Sequence, residues 1–376
     1  MQKRNNSAYA SILTSSMMKQ IFYLFIMTIF ISSGNSQLNG QNMNNDKPVI
    51  QSPDPSDKNN NFYDNEETYS LGLNEIEVAG EVENPGWVDL SKLSKHSVIV
   101  KETLLKGDSD VFVGAYRYDG YSLFDILNDR ILKKKNEKEF RPIIDVYIEI
   151  ENKKGEKVIV SWGEIYYTNF LHNAIIATDI MRIVPSKTKD LWPLPDRSKL
   201  VIANDLLSER NIPEPVKITV KSCDRSFPVN REMDPLFSPE IKVYDQNDPV
   251  MTVRNEIQDQ QKETLHTIFY GKGRGIHSTQ PFTGYFLKTL FSEKLKITQS
   301  RLRNGIFLIV GIDGYRSVYT YSEIMNRNDQ AEVLLVPCKD VKDGGAWRIF
   351  PSCDFFSDRA VKAVSGIYLL NSEIVK

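Results

Sequence analysis

The sequence predicts an α+β fold, strands outweighing helix, built as a tandem duplication. Three observations carry this reading. Short segments of alternating apolar residues recur along residues 73–376, and a period of two marks a strand with one buried face. A segment between them has helical spacing instead. The order of features in the first half then returns in the second.

The first strand pair lies in EIEVAGEVENPGWVDL (Glu75 to Leu90), where Ile76, Val78 and Val82 alternate around a Pro-Gly turn. DVYIEIE (Asp145 to Glu151) and KVIVSW (Lys157 to Trp162) follow, joined by the turn NKKGE, and VKITVKS closes the half near Ser222. YSLFDILNDRILK puts Leu123, Ile126, Leu127 and Ile131 on one face of a helix. After residue 235, EIKVYDQNDPVMTV (Glu240 to Val253) opens like the first pair, and TGYFLKTLF echoes DGYSLFDIL with Gly120/Gly284, Tyr121/Tyr285 and Leu123/Leu287 in register. GIFLIVGIDGYRSVYTYSEI echoes DVYIEIENKKGEKVIVSWGEI, ending on Glu164 and Glu323. Residues 199–220 lie over 348–369 without a gap, matching Asp205 to Asp354, Arg210 to Arg359 and Ile218 to Ile367.

Such a long period indicates duplication, with one repeat over 73–223, a linker over 224–234 and a second repeat over 235–376. Ser161 to Glu164 and Thr320 to Glu323 both fit the S/T-x-x-E capping box. Both glutamates are therefore assigned to backbone capping, and neither is nominated as a catalytic acid.

The N-terminus points to export. IFYLFIMTIFI (Ile21 to Ile31) follows Lys19 and precedes SSGNSQ. It is about half the length of a bilayer span, so residues 1–36 read as a signal peptide and not as a transmembrane anchor. Residues 37–72, rich in Asn, Asp, Ser and Pro, read as a disordered polar leader. The expected location is periplasmic or secreted. With 41% hydrophobic and 26% charged residues the chain is globular. A net charge of −2 offers no bulk basic field for nucleic acid. Three cysteines and no C-x-x-C pair exclude a disulfide scaffold and a structural zinc site of that type.

RIFPSCDFFSDRAVKAVSGIYLL, with the upstream IDGYRSVYTYSEI and FTGYFLKTLF, resembles a sulfite-oxidase-type molybdopterin-binding domain. That family shows a turn into G-v-x-L-x-x-L-L, a D-G-Y hairpin, an S-x-x-E helix start, then R-L-v-v-P-x-D…R-x-V-K…I-x-V. The second repeat matches nearly every feature; the first has Pro213 where the lysine would fall. The resemblance implies a molybdopterin cofactor whose molybdenum is held by a cysteine thiolate, the soft anionic ligand such a metal needs. Neither corresponding stretch, KETLLKGDSDVFVGAYRYDG or HTIFYGKGRGIHSTQPFTG, contains cysteine. No catalytic residue, no metal ligand and no stable molybdenum centre are therefore expected.

The resemblance also implies that the R-x-V-K pair, here Arg359 and Lys362, lies near a cofactor phosphate, with Arg348 alongside. Arg meets phosphate as a fork and Lys as a point charge. The competing reading pairs Arg359 with Asp354 or Asp358 on the surface, where an ion pair is worth little. Arg274, in the glycine-rich GKGRG (Gly271 to Gly275), and His277 complete the candidate cofactor-binding set. GKGRG reads first as a mobile turn and second as an anion cradle. Cys338 and Cys353 read equally as a disulfide or as buried thiols. The tyrosines of GAYRYDGY read as aromatic packing ahead of ligand stacking.

The functional expectation is an exported, non-catalytic binding or interaction module, whose partner is an envelope protein or a small anionic ligand. The alternative is an active molybdopterin-dependent oxidoreductase with an atypical metal ligand.

Overall fold

The alternating segments become strands, whereas the helical segments shrink to single turns. The computed structural model describes residues 63, 66–107, 109–254, 257, 260–338 and 344–371. The expected signal peptide and nearly all of the expected leader lie outside the described residues.

One five-stranded sheet forms in the first half from β2 (Glu75–Gly80), β3 (Gly86–Asp89), β6 (Val146–Asn152), β7 (Lys157–Ser161) and β10 (Pro215–Ser222). Its order is β3-β2-β10-β6-β7, with β10 parallel to β2 and antiparallel to β6. The second half repeats this connectivity. There β11 (Ile241–Asp245), β12 (Asp248–Val253), β17 (Gly305–Gly311), β18 (Arg316–Thr320) and β21 (Val364–Asn371) run in the order β12-β11-β21-β17-β18. Again the last strand is parallel to the first and antiparallel to its other neighbour.

Each half adds a further sheet. The first holds β1 (Thr68–Ser70), β4 (His96–Lys106), β5 (Ser109–Ser122), β8 (Ala174–Arg182) and β9 (Lys199–Ile202). The second holds β13 (Glu263–Leu265), β16 (Phe282–Phe286), β19 (Val333–Pro337) and β20 (Trp347–Pro351). A hairpin of β14 (Phe269–Gly271) and β15 (Gly275–Ser278) stands beside it. Because β1 pairs with β8 and Leu71 is buried, folded chain begins before residue 73, inside the segment expected to be leader.

The described residues are mostly β, 45% strand against 12% helix, which overturns the expected α+β class. The reason is visible in the helices. α1 (Leu123–Asn128), α2 (Trp162–Tyr166), α3 (Leu287–Phe291), α4 (Gln299–Asn304) and α5 (Tyr321–Met325) have only five or six residues each. The helix expected to reach Lys133 stops at Asn128; Ile131 is exposed and Leu132 bridges to Val82. Its apolar spacing is therefore met by one helical turn and then by extended chain. None of the described helices is long and apolar enough to cross a membrane.

Gly120 and Gly284, matched in the sequence, do the same work. A Cβ on Gly120 would lie 2.2 Å from the Ile176 carbonyl oxygen, and one on Gly284 2.4 Å from that of Leu335. Backbone cannot yield at those distances, so only glycine lets the neighbouring strand pass just before the helix begins.

The two five-stranded sheets share a buried apolar layer. Tyr147, Ile159 and Cys223 from the first half pack with Ile306, Leu308, Val310, Val318 and Leu370 from the second. The segment read as a linker is also bound to the fold. Val229 packs on the first core, and the Asn230 amide donates to the Asp313 carbonyl at 2.8 Å.

Candidate functional site

Five side chains that carry or can carry positive charge converge on one cavity of about 710 Å³ in the second half: Arg231, Arg274, His277, Arg348 and Lys362. Four of them belong to the set expected from the sequence. Arg274 is in the turn of the β14–β15 hairpin, His277 lies on β15, Arg348 on β20, and Lys362 just before β21. The glycine-rich turn is thus one wall of the cavity. A Cβ on Gly271 would strike His277 Nε2 at 2.4 Å, so this glycine leaves the imidazole its place.

Phe269, Phe282 and Tyr315 supply apolar walls. The Arg348 guanidinium lies 5.0 Å from the Phe269 ring centre and 5.7 Å from that of Phe282, within cation–π range. Arg231 stacks 4.3 Å over Tyr315 and sits 3.8 Å from Asp313. Sequence reasoning missed this arginine, because it lies in the segment read as a linker and carries no motif.

Two carboxylates, Asp313 and Asp358, face four permanent cations in the cavity. Asp358 already accepts the Lys272 amide at 3.2 Å. Arg274 and Lys362 are exposed and make no ion pair among the described residues.

Arg359 is not in the cavity. Asp358, Ala360 and Lys362 line it, whereas Arg359 and Val361 are buried on the other side of this short segment. Arg359 Nε and Nη2 donate to the two oxygens of Asp354 at 2.7 and 2.6 Å, and Nη1 lies 2.7 Å from Glu323 Oε1. Asp354 is the partner that one of the two sequence readings named, but the pair is buried and not at the surface. All of its fork is spent inside the protein.

Arg210 repeats this arrangement in the first half. Its Nε and Nη2 donate to Asp205 at 2.8 and 2.6 Å, and Nη2 donates to Glu164 at 2.7 Å. Both glutamates close the capping boxes legible in the sequence, on Ser161 and on Thr320. The caps also cross between the halves. Thr320 Oγ1 donates to Glu164 Oε2 at 3.0 Å, while Arg359 Nη1 donates to Ser161 Oγ at 3.3 Å. Backbone follows the same rule: the Leu206 amide donates to the Asn326 carbonyl, and the Phe355 amide to that of Tyr167. At Gly163 a Cβ would fall 2.1 Å from Arg359 Cζ, so a glycine is required where that guanidinium crosses.

Burial pushes the Glu323 carboxyl up to about 7 against the pull of Arg359, with Glu164 across the joint adding to the rise. Against its own burial, Glu164 is held below the usual range by Arg210. The sign for Glu323 is definite. An unfolded glutamate loses its proton near 4.5, so in the window from about 4.5 to about 7 the folded chain holds a proton that the unfolded chain has lost. Stability from this group therefore falls as pH rises through that window. Glu323→Gln retains a side chain able to close the cap and removes the titration. Denaturation midpoints of wild type should thus drop relative to the variant between about pH 4.5 and about pH 7; parallel profiles would remove the assignment.

No cysteine lines the cavity. Burial raises the Cys223 thiol to about 11 and pushes that of Cys353 higher still, the reverse of what a metal-binding thiolate needs. Cys338 and Cys353 are not joined in a disulfide. The cavity's residues suit a phosphate or other oxyanion, but they do not supply the thiolate that the sulfite-oxidase-type resemblance implies for molybdenum. Tyr116 and Tyr118 are also spoken for, since their hydroxyls donate to the Pro193 carbonyl at 2.6 Å and to Glu102 at 3.1 Å.

No protein-family model and no curated protein matches the sequence. Among solved structures, this chain is weakly similar to the sulfane dehydrogenase SoxCD from Paracoccus pantotrophus, a pairing that covers 79% of this chain and 80% of that one. Identity is 9% and the TM-score 0.26. A likeness at that level carries no argument about activity.

Proposed function

We propose that this chain is an exported, non-catalytic binding module of two duplicated units, whose ligand is a small phosphate-bearing or other oxyanionic molecule held in the cavity of the second half. One observation carries the reading. Arg231, Arg274, Arg348 and Lys362, from four separate segments, face a single cavity whose carboxylates are outnumbered two to one. The volume suits a small organic ligand better than a bare ion. Its aromatic walls suit a ligand with a flat apolar part beside the anion. The short apolar run after Lys19 supports export, and the equal connectivity of the two five-stranded sheets supports duplication.

Arg274 and Lys362 are the cations left for a ligand, so they are the ones to remove. Charge-assisted hydrogen bonds contribute roughly 1.5–3 kcal/mol each. Arg274→Ala and Lys362→Ala should therefore each weaken pyrophosphate binding about tenfold or more by isothermal titration calorimetry. The affinity should also fall with added salt. Equal affinity in wild type and both variants would discard the site.

A further inference from the structure

His96, Asp125 and His172 come from three separate segments of the first half and meet at a place distinct from the basic cavity. His96 opens β4 opposite Gly120 of β5, Asp125 lies in the first turn of α1, and His172 stands between α2 and β8. The two imidazole rings are stacked, with centres 3.7 Å apart and planes 5° from parallel. His96 Nε2 lies 2.8 Å from Asp125 Oδ2, and His172 Nδ1 lies 3.7 Å from the same oxygen. One ligand atom from each residue falls within 4.8 Å of the others.

We propose that these three side chains bind one borderline divalent transition-metal ion, with Zn²⁺ as the reference occupant. Two imidazole nitrogens and one carboxylate oxygen form the donor set such ions take, whereas Mg²⁺ and Ca²⁺ prefer oxygen alone. Around a tetrahedral ion with bonds near 2.1 Å, neighbouring ligand atoms sit about 3.4 Å apart. The two measured separations straddle that value. The stacked rings aim their lone pairs along parallel planes, so closure requires one imidazole to rotate out of the stack while both keep Asp125 within reach.

An outer shell is present too. Ser122, the N-cap of α1, donates its hydroxyl to Asp125 Oδ2 at 2.7 Å, while its 3.2 Å contact with His172 Nδ1 is one that a bound ion would displace. Hydrogen-bonded support of this kind orients ligating groups. The Phe124 ring meets the His172 ring edge-on, with centres 6.1 Å apart. The three side chains keep 25%, 23% and 42% of their exposure, which leaves room for solvent to complete the coordination. Among the described residues this is the one group of three His, Cys, Asp or Glu side chains with such a spacing. It uses two of the four histidines in the chain.

The test uses the full chain without a polyhistidine tag, stripped with a chelator and dialysed. Zn²⁺ titrated by calorimetry should bind at one site per chain. His96→Ala and His172→Ala should each weaken that site about a hundredfold, and Asp125→Asn should weaken it while leaving the Ser122 cap in place. His266→Ala, an exposed histidine elsewhere, should leave it unchanged. Co²⁺ should give the visible absorption of a low-symmetry, four-coordinate centre in wild type and lose it in His172→Ala. No saturable Zn²⁺ binding in wild type, or undiminished binding in both histidine variants, would overturn the proposal. Circular dichroism of each variant separates loss of ligand from loss of fold. The outcome is independent of anion binding at Arg274 and Lys362, so either reading can fail alone.

Discussion

Arg359→Leu should destabilise the protein by about 3–5 kcal/mol, the range for breaking a buried ion pair from one side. The substitution leaves Asp354 and Glu323 buried without the guanidinium that pairs with both, and it removes a donor from the Val318 carbonyl at 3.2 Å. Arg210→Leu should cost a similar amount, because Asp205 and Glu164 stand in the same relation to it. Arg359→Lys should recover only part of the loss, since an ammonium cannot span both Asp354 oxygens as the fork does. Urea denaturation with a two-state fit reads all three. A change below about 1 kcal/mol for Arg359→Leu would mean that water reaches the site and screens the acids.

The second large effect is expected in the shared apolar layer. Leu308 is fully buried there between the two five-stranded sheets. Leu308→Ala should cost about 2–5 kcal/mol, the range for deleting a core leucine and leaving part of its space empty. More informative is how the loss is distributed. If this layer joins the halves into one cooperative unit, slow-exchanging amides of β6 and β17 should lose protection together in the variant. Hydrogen exchange followed by mass spectrometry distinguishes this from the other outcome, in which β17 opens at lower free energy while β6 keeps its wild-type protection.

Much of this architecture could be read from residues whose role is local. Ser161 with Glu164, and Thr320 with Glu323, announce helix starts because a capping box is made within four residues. Gly120 and Gly284 fall in register because both meet a neighbouring backbone. The fold class was not legible in the same way. Leu123, Ile126 and Leu127 satisfy one turn of helix as well as they satisfy three, and nothing in their spacing says where the turn must stop. The long β4–β5 hairpin was also missed. Its inward face carries Glu102, whose burial is answered by Lys199, 2.7 and 2.8 Å from its two oxygens, and by donors on Tyr118 and Asn211. Lys199 is far away in sequence, so a charge at an inward position hides the alternation.

The candidate cavity was legible in part for a related reason. Arg274, His277, Arg348 and Lys362 were singled out from local composition and from a family resemblance, and they do share one cavity. Arg359 and Lys362 look equivalent in sequence, yet only the lysine faces the cavity. The difference is set by Asp354 and Glu323, and burial of a charge depends on partners that spacing alone cannot place. Arg231 illustrates the converse, since its place beside Asp313 and Tyr315 comes from the path of the whole connecting segment.

The crossed caps have a bearing on how the two halves stay together. Ser161 meets Arg359, Thr320 meets Arg210 and Glu164, and the amides of Leu206 and Phe355 are answered by carbonyls of the opposite half. Contacts in which each side offers the other the same patch are those of a twofold, isologous association. Both halves lie on one chain, so dilution cannot part contacts that would dissolve between two free copies. The arginines at this joint answer the opposite half in both directions, whereas Arg274, Arg348 and Lys362 gather in the second half alone.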